Sequence, residues 1–232
     1  MAKPGFQTDT FTIETGVVDG QTIAKWTADW WTWALNLKTG SVDDPFTQPD
    51  GTHIGGVLND GPVVFIPGVQ QTNPLDPTLP AFEVQYGQAL LVPLINVVYT
   101  PPNTLDFAGR NAQANLNSIH SVENDFIKDY DNSLSDLFAK VDGVTIPDLT
   151  SHIVDTSFFD PGNAQNGTLA PDYFGNVPSS WLGKTMGPAK SGGAWLMIDN
   201  LSRGTHTLEF GGKDSLFNPA QEIHVVETFN VV

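Results

Sequence analysis

Acidic residues in turn-like segments are the first feature whose residue types could do chemistry, because calcium takes carboxylate oxygens as ligands. Asp129 and Asp131 begin a stretch that resembles the start of an EF-hand loop. The stretch departs from that pattern, since Leu134 stands where a glycine is required and Lys140 where a bidentate glutamate is required. A second acidic pair lies in the turn-rich segment 40–62. The candidate Ca²⁺ ligands, drawn from separate loops, are Asp43, Asp44, Asp129 and Asp131.

The tryptophans offer a second kind of chemistry, because an exposed indole can stack on a sugar ring. Trp26, Trp30 and Trp33 fall at spacings of three and four, which places them on one face of a helix. Such a face predicts a core seam against a sheet. Trp31 points away from that face, and Trp181 lies in a long loop. These two are the predicted ligand-binding residues.

The histidines are more typical of structure than of a metal site. His206 and His152 each share a strand face with apolar residues, so we expect both to be satisfied core histidines. His224 is expected to face solvent. His120 and Glu123 lie three residues apart on a predicted helix and could touch. No HExxH or HxH spacing supports zinc there.

No motif for catalysis is present. The chain has no cysteine nucleophile, no GxSxG elbow, no phosphate-binding loop and no dinucleotide fingerprint. A carboxylate pair for glycoside chemistry needs a measured separation, which a sequence does not supply. We therefore assign no catalytic residue and favour a non-enzymatic protein. The alternative is a carbohydrate-active hydrolase or lyase that works between loops 40–62 and 160–190.

The elements that must position these residues are mainly strands. Helical periodicity predicts helices at about 20–38 and 111–130, the first capped by Asp19 or Thr22. Short apolar or alternating runs, separated by Gly, Pro, Asn and Asp, predict strands elsewhere. The predicted fold is mainly β: a single antiparallel β-sandwich, jelly-roll or immunoglobulin-like, over residues 1–232 with two accessory α-helices. A subdomain split near residue 130 is the alternative.

Composition limits the classes of binding partner and the cellular location that the protein can have. The 232 residues carry a formal net charge of −16, which excludes a nucleic-acid surface and disfavours anionic lipid. The absence of cysteine excludes a disulfide scaffold. The longest apolar stretch, 89–99, is too short to span a bilayer and contains Pro93, so we expect no membrane insertion. The first residues do not form an intact signal peptide, and a removed leader would fit export.

A resemblance extends over nearly the whole chain. It rests on the tryptophan pattern of residues 26–33, on Gly-Pro-Val-Val-Phe-Ile-Pro-Gly at 61–68, and on the segments 87–96, 141–144 and 201–212. Together these resemble a family of uncharacterised exported proteins of bacteria and archaea with a Trp-rich helix near the mature N-terminus. The resemblance implies export and a β-rich fold, and it supplies no catalytic residue. Members often carry loop cysteines, which this chain lacks.

Two functional hypotheses follow besides the enzyme alternative. The leading one is an extracellular or cell-surface β-sandwich protein with a binding or structural role, on a glycan or polymer surface. The other is a self-associating subunit of a surface layer or filament, in which residues 6–14 complete a neighbour's sheet by strand addition.

Overall fold

Two β-sheets packed face to face form the centre of the computed structural model, which describes residues 5–38, 61–66, 82–100, 112–170, 182–217 and 219–232. Side chains of the second helix are described from residue 120. The helices are α1 (Ile23–Asn36) and α2 (Ala112–Ser133). The strands are β1 (Thr12–Glu14), β2 (Val17–Val18), β3 (Gln21–Thr22), β4 (Val63–Phe65), β5 (Phe82–Val84), β6 (Ala89–Tyr99), β7 (Leu134–Val141), β8 (Val144–Thr145), β9 (Lys190–Asp199), β10 (Gly204–Asp214) and β11 (Gln221–Val231).

The first sheet has the order β1-β9-β6-β4, and the second has the order β5-β11-β10-β7-β8. Strands β2 and β3 form a small separate hairpin. Most pairs are antiparallel, and the parallel pairs β4–β6 and β5–β11 lie at sheet edges. The β-sandwich with two accessory helices that the sequence predicts is therefore confirmed.

The sandwich core draws on both halves of the chain. Alternate residues of each long strand point inward, so Leu90 and Leu196 of the first sheet meet the same cluster as Phe210 and Phe229 of the second. Burying such side chains contributes roughly 1.5–3 kcal/mol each relative to exposure. The register of β6 and β9 shifts between Pro93 and Ile95, and a proline within a strand favours such a bulge.

Helix α1 covers the outer face of the first sheet. Its first turn is capped by Thr22, whose side chain accepts a hydrogen bond from the backbone N–H of Lys25 at 3.2 Å. Trp26 and Trp30 are buried, and each indole N–H donates to a backbone carbonyl. The ring of Trp30 lies edge-on to Trp195 of β9, with centroids 5.3 Å apart. The predicted tryptophan seam against the sheet is confirmed.

Helix α2 lies against the first sheet where β9 begins, and it leads directly into β7 of the second sheet. Ile127 and Tyr130 are fully buried against Val97 of β6. The helical period places Glu123 on this buried face, and its side chain is indeed 0% exposed. An acidic side chain is thus buried at the interface between α2 and the sheet.

Candidate functional site

A cluster of polar and charged side chains, with buried and exposed members, lies between α2 and β9. We call it the α2–β9 cluster, and it consists of Glu123, Asn124, Asp131, Asp155 and Lys190. The backbone of β9 lets α2 approach closely here, because a Cβ atom on Gly192 would lie 2.5 Å from Ile127 Cγ2 and 2.8 Å from Asp131 Oδ1. Glycine is therefore required at Gly192 by space, not by its backbone angles.

Lys190, the first residue of β9, is the cation of the cluster and is only 9% exposed. Its Nζ donates to Asn124 Oδ1 at 3.0 Å and to Asp155 Oδ2 at 3.2 Å. Asp155 is held in place because its neighbours run along the edge of β9. The N–H of Val154 donates to the carbonyl of Gly193 at 2.8 Å, and the N–H of Thr156 donates to that of Ser191 at 2.9 Å.

Two acids of the cluster hold protons at neutral pH. Burial raises the pKa of Glu123 to about 8, and the positive charge of Lys190 only partly opposes this. Burial also raises the pKa of Asp131 to about 8, helped by a hydrogen bond with Asp155 and by its charge. Neither carboxyl oxygen of Glu123 has a hydrogen-bond partner within the described part of the chain. The interface therefore contains a fully buried acid next to an enclosed lysine.

A separate buried acid lies inside the sandwich. Glu227 of β11 faces the core between Val225 and Phe229, and burial raises its pKa to about 8. Its strand position is that of an apolar residue. The molecule thus has titratable groups both in the core and at the α2 interface.

His206 links two turns of the second sheet. Its Nδ1 lies 2.7 Å from Asp142 Oδ2, and its Nε2 lies 2.8 Å from the backbone carbonyl oxygen of Ser202. Ser202 Oγ is farther from Nε2, at 3.4 Å. A carbonyl only accepts, so Nε2 carries its hydrogen and cannot take the proton of the serine hydroxyl. These residues resemble a catalytic triad only in their types, and they tie the turn between β7 and β8 to the segment between β9 and β10.

The predictions for the histidines are largely met. His206 and His152 are buried, at 4% and 8% exposure, as expected for core histidines. The ring of His120 stacks on that of Phe158, with centroids 3.9 Å apart. His224 is partly exposed and contacts Glu209 at 3.1 Å.

One end of the sandwich presents an aromatic ring to solvent. Tyr86, in the turn between β5 and β6, is 61% exposed. The guanidinium carbon of Arg203, in the turn between β9 and β10, lies 4.6 Å from the centre of its ring. The backbone N–H of Tyr86 donates to the carbonyl of Val232 at 2.9 Å. The ring therefore stands on a turn that is fixed to the sheet.

The predicted ligand-binding tryptophans have different outcomes. Trp181 lies outside the described residues. Trp31 is 2% exposed and packs edge-on against Trp30, with centroids 4.9 Å apart. The expectation that Trp31 points away from the buried face is wrong, because Trp31 belongs to the same buried cluster as Trp30, and Ala164 and Met186 of a later segment complete that cluster.

Of the four predicted calcium ligands, two lie within the described residues. Asp43 and Asp44 lie outside the described residues. Asp129 and Asp131 lie in the last turns of α2 instead of a loop, with Asp129 exposed and Asp131 bonded to Asp155. Within the described ranges, no group of three or more His, Asp or Glu side chains is arranged to hold a metal ion. Calcium binding stays a prediction for the rest of the chain.

The sequence did not reveal which residues join Glu123 in the α2–β9 cluster. Lys190 begins a strand that continues with small and apolar residues. A lysine at such a position has to be paired, and this was the available signal in the sequence. Asn124 and Asp155 gave no signal. Tyr86 and Arg203 gave none beyond their turn positions.

No family model, curated protein or solved structure matches the chain. The resemblance to exported proteins with a Trp-rich helix therefore stays a prediction. Among the helices that the structure describes, none is both long and apolar enough to cross a membrane.

Proposed function

We propose that the chain is an extracellular, non-enzymatic β-sandwich protein that binds a glycan or similar polymer surface through the end of the sandwich that carries Tyr86. The observation that carries the proposal is the 61% exposure of the Tyr86 ring on a turn fixed to the sheet. An aromatic face with a polar edge is the usual protein surface for a sugar ring.

The rest of the described aromatic surface supports this choice of residue. Trp26, Trp30, Trp31 and Trp195 are all buried, so these indoles are not available for stacking. Arg203 lies over the ring of Tyr86 and adds donors for sugar hydroxyl groups.

Charge restricts the ligand class. The formal net charge of −16 repels polyanions at moderate ionic strength. A neutral polysaccharide therefore suits this protein better than a uronic-acid polymer or a nucleic acid.

The test is a depletion assay in which the intact chain is mixed with insoluble cellulose, chitin or starch and the unbound protein is measured. We expect retention on at least one neutral polymer. Tyr86→Ala should weaken that retention about tenfold, equivalent to roughly 1.4 kcal/mol, and Tyr86→Phe should preserve most of it.

Val17→Ala is the matched control, because Val17 is also 61% exposed but lies in the small β2–β3 hairpin. The proposal fails if no neutral polymer retains the intact chain. It also fails if Tyr86→Ala binds as well as the control.

A second candidate function, self-association by exchange of the N-terminal strand, is favoured by β1. This edge strand pairs with β9 through only three residues, yet Phe11 beside it and Ile13 within it are fully buried. A short edge strand with deeply buried side chains is suited to exchange between copies.

A disulfide between Thr12→Cys and Asp199→Cys tests strand exchange, because these residues are paired in the β1–β9 ladder. Paired Cα atoms lie about 4.5–5.5 Å apart, which is within disulfide range. We expect light scattering to show assemblies of the intact chain and monomers of the oxidised variant. A monomer in both cases would exclude this function.

A further inference from the structure

We propose that Lys190 Nζ joins the side-chain carbonyl carbon of Asn124 in an intramolecular amide bond, with Glu123 exchanging the protons. The proposal concerns the α2–β9 cluster and does not depend on the proposed glycan-binding function. It would give the chain a covalent link between α2 and β9.

The first support is proximity. Lys190 Nζ already donates to Asn124 Oδ1 at 3.0 Å, so the amine nitrogen lies beside the carbonyl that it would attack. Lys190 is 9% exposed and is anchored in β9, which limits the positions that Nζ can adopt. Holding two reacting groups in this way replaces a collision between molecules by a step within one molecule.

The second support is the type of each group. A carboxamide is neutral and is attacked by an amine more readily than a carboxylate, whose negative charge repels the incoming electron pair. Asp155 lies 3.2 Å from Lys190 Nζ and supplies the negative partner of the lysine. Asn124 is exposed to solvent, so the leaving group can diffuse away.

The third support is Glu123, which is 0% exposed and has no hydrogen-bond partner for either carboxyl oxygen within the described residues. It follows Val122 and precedes Asn124 on α2, and the charge of Lys190 acts on it. Burial raises its pKa to about 8, so at neutral pH it holds the proton that the leaving amide nitrogen needs. The proposal gives this buried acid, which has no bonded partner among the described residues, a role in the step.

The chemistry balances without an oxidant, a reductant or a cofactor. Lys190 loses a proton to the Asp155 carboxylate, whose Oδ2 lies 3.2 Å from Nζ, and the free electron pair on Nζ forms a bond to Asn124 Cγ. The bond from Cγ to Nδ2 then breaks, and Nδ2 takes the proton from Glu123. The second proton of the attacking nitrogen returns to Glu123, and the proton on Asp155 leaves with the ammonia as ammonium, so that one new amide replaces the old one.

The consequence would be a cross-link in a chain that has no cysteine. The bond would connect positions 66 residues apart and would restrict the unfolded chain as a disulfide does.

Accurate mass measurement of the purified, denatured full-length chain tests the proposal, followed by peptide mapping after proteolysis. We expect the mass to be lower than that of the sequence by one ammonia, and a branched peptide to contain Lys190 and Asn124. Lys190→Arg and Asn124→Ala should restore the full mass. Circular dichroism of each variant would confirm that it folds.

Asn132→Ala and Lys128→Arg are matched controls, because both residues lie exposed on α2; these variants should keep the cross-link. Glu123→Gln should slow or abolish its formation, and Glu123→Asp should restore part of it, with a rate that depends on pH. An intact chain at full mass after prolonged incubation would overturn the proposal. Loss of one water, with Asp155 in the branched peptide, would overturn the assignment to Asn124.

Discussion

Helices α1 and α2 both pack against β9, and they do so with opposite chemistry. At the α1 interface, Trp30 meets Trp195 edge to edge at 5.3 Å, and its N–H donates to the carbonyl of Ile66 at 2.8 Å. At the α2 interface, Glu123 and Asp131 are enclosed beside Lys190. One strand thus carries an apolar seam toward its middle and a titratable cluster at its start.

The difference separates two ways of holding a helix on a sheet. The free energy of an indole seam comes from apolar area and packing, which do not change with pH. The free energy of the α2 interface depends on protons, because Glu123 and Asp131 have pKa values raised to about 8. We therefore expect the α1 interface to contribute stability that does not change with pH. We expect the α2 interface to make the free energy of unfolding depend on pH.

The largest effect is expected from Trp30→Ala. The substitution removes a 2%-exposed indole from the centre of the α1 seam and leaves a cavity. The free energy of unfolding should fall by about 3–5 kcal/mol, measured by urea denaturation. Trp30→Phe should lower the free energy of unfolding less. A decrease below about 1 kcal/mol for Trp30→Ala would contradict the view that the indole seam holds α1 on the sheet.

A smaller effect is expected from Gly192→Ala on the α2 side. The added methyl group would lie 2.5 Å from Ile127 Cγ2, so α2 has to move outward. Overpacking of this kind should lower the free energy of unfolding by about 1–3 kcal/mol. Gly16→Ala is the control, because nothing lies within 4 Å of a Cβ atom there. Equal stability of the two variants would show that α2 is not tightly seated.

Glu123→Gln should change how stability depends on pH. The pKa of Glu123 is raised from 4.5 to about 8, so the folded chain retains a proton that the unfolded chain releases between these values. The stability from this difference is complete below the unfolded pKa and is lost as pH rises through the folded pKa.

Thermal unfolding from pH 5 to pH 9 measures this effect. In an Asn124→Ala background, which prevents the cross-link, the variant should match its parent at low pH and exceed it near pH 9 by at least about 1.4 kcal/mol, the free energy of a single pKa unit. Asp131 and Glu227 shift in the same direction, so some pH dependence should remain in the variant. If the two chains lose stability in parallel, Glu123 is not a source of the pH dependence.

The smallest effect is expected from Lys25→Ala on the outer side of α1. Lys25 pairs with Asp29 one turn later, and its side chain is 57% exposed. Exposed pairs of this spacing contribute about 0.3–0.5 kcal/mol, so urea denaturation should detect little change. A loss comparable to that of Gly192→Ala would mean that surface charge, not the buried seam, holds α1.

Much of α1 could be predicted from the sequence, because its signals are local. The spacing of Trp26 and Trp30 and the cap at Thr22 belong to neighbouring residues, and both appear as expected. Trp31 could not be predicted, since its burial depends on Ala164 and Met186, which lie more than a hundred positions later. Helical periodicity shows which face of a helix packs against one element. It gives no information about a second element that packs elsewhere on the same helix.

The candidate sites show the same limit. The helical pattern marked Glu123 as a polar residue on a buried face, which was a correct local signal. It could not show that Lys190 and Asp155 complete the cluster, because the bonds from Lys190 to Asn124 and Asp155 span 66 and 35 positions. Asp129 and Asp131 begin a segment that resembles a calcium loop, yet both belong to helix α2, which continues to Ser133.

The sequence by itself determined the β-rich layers, the two helices and the acidic surface, because propensity, periodicity and charge are properties of short segments. The tertiary structure decided which polar side chains meet. Lys190, Asn124 and Asp155 come together only because β9, α2 and the segment along β9 pack at one place. Long-range packing also fixed Tyr86 at the surface and closed the core over Trp31.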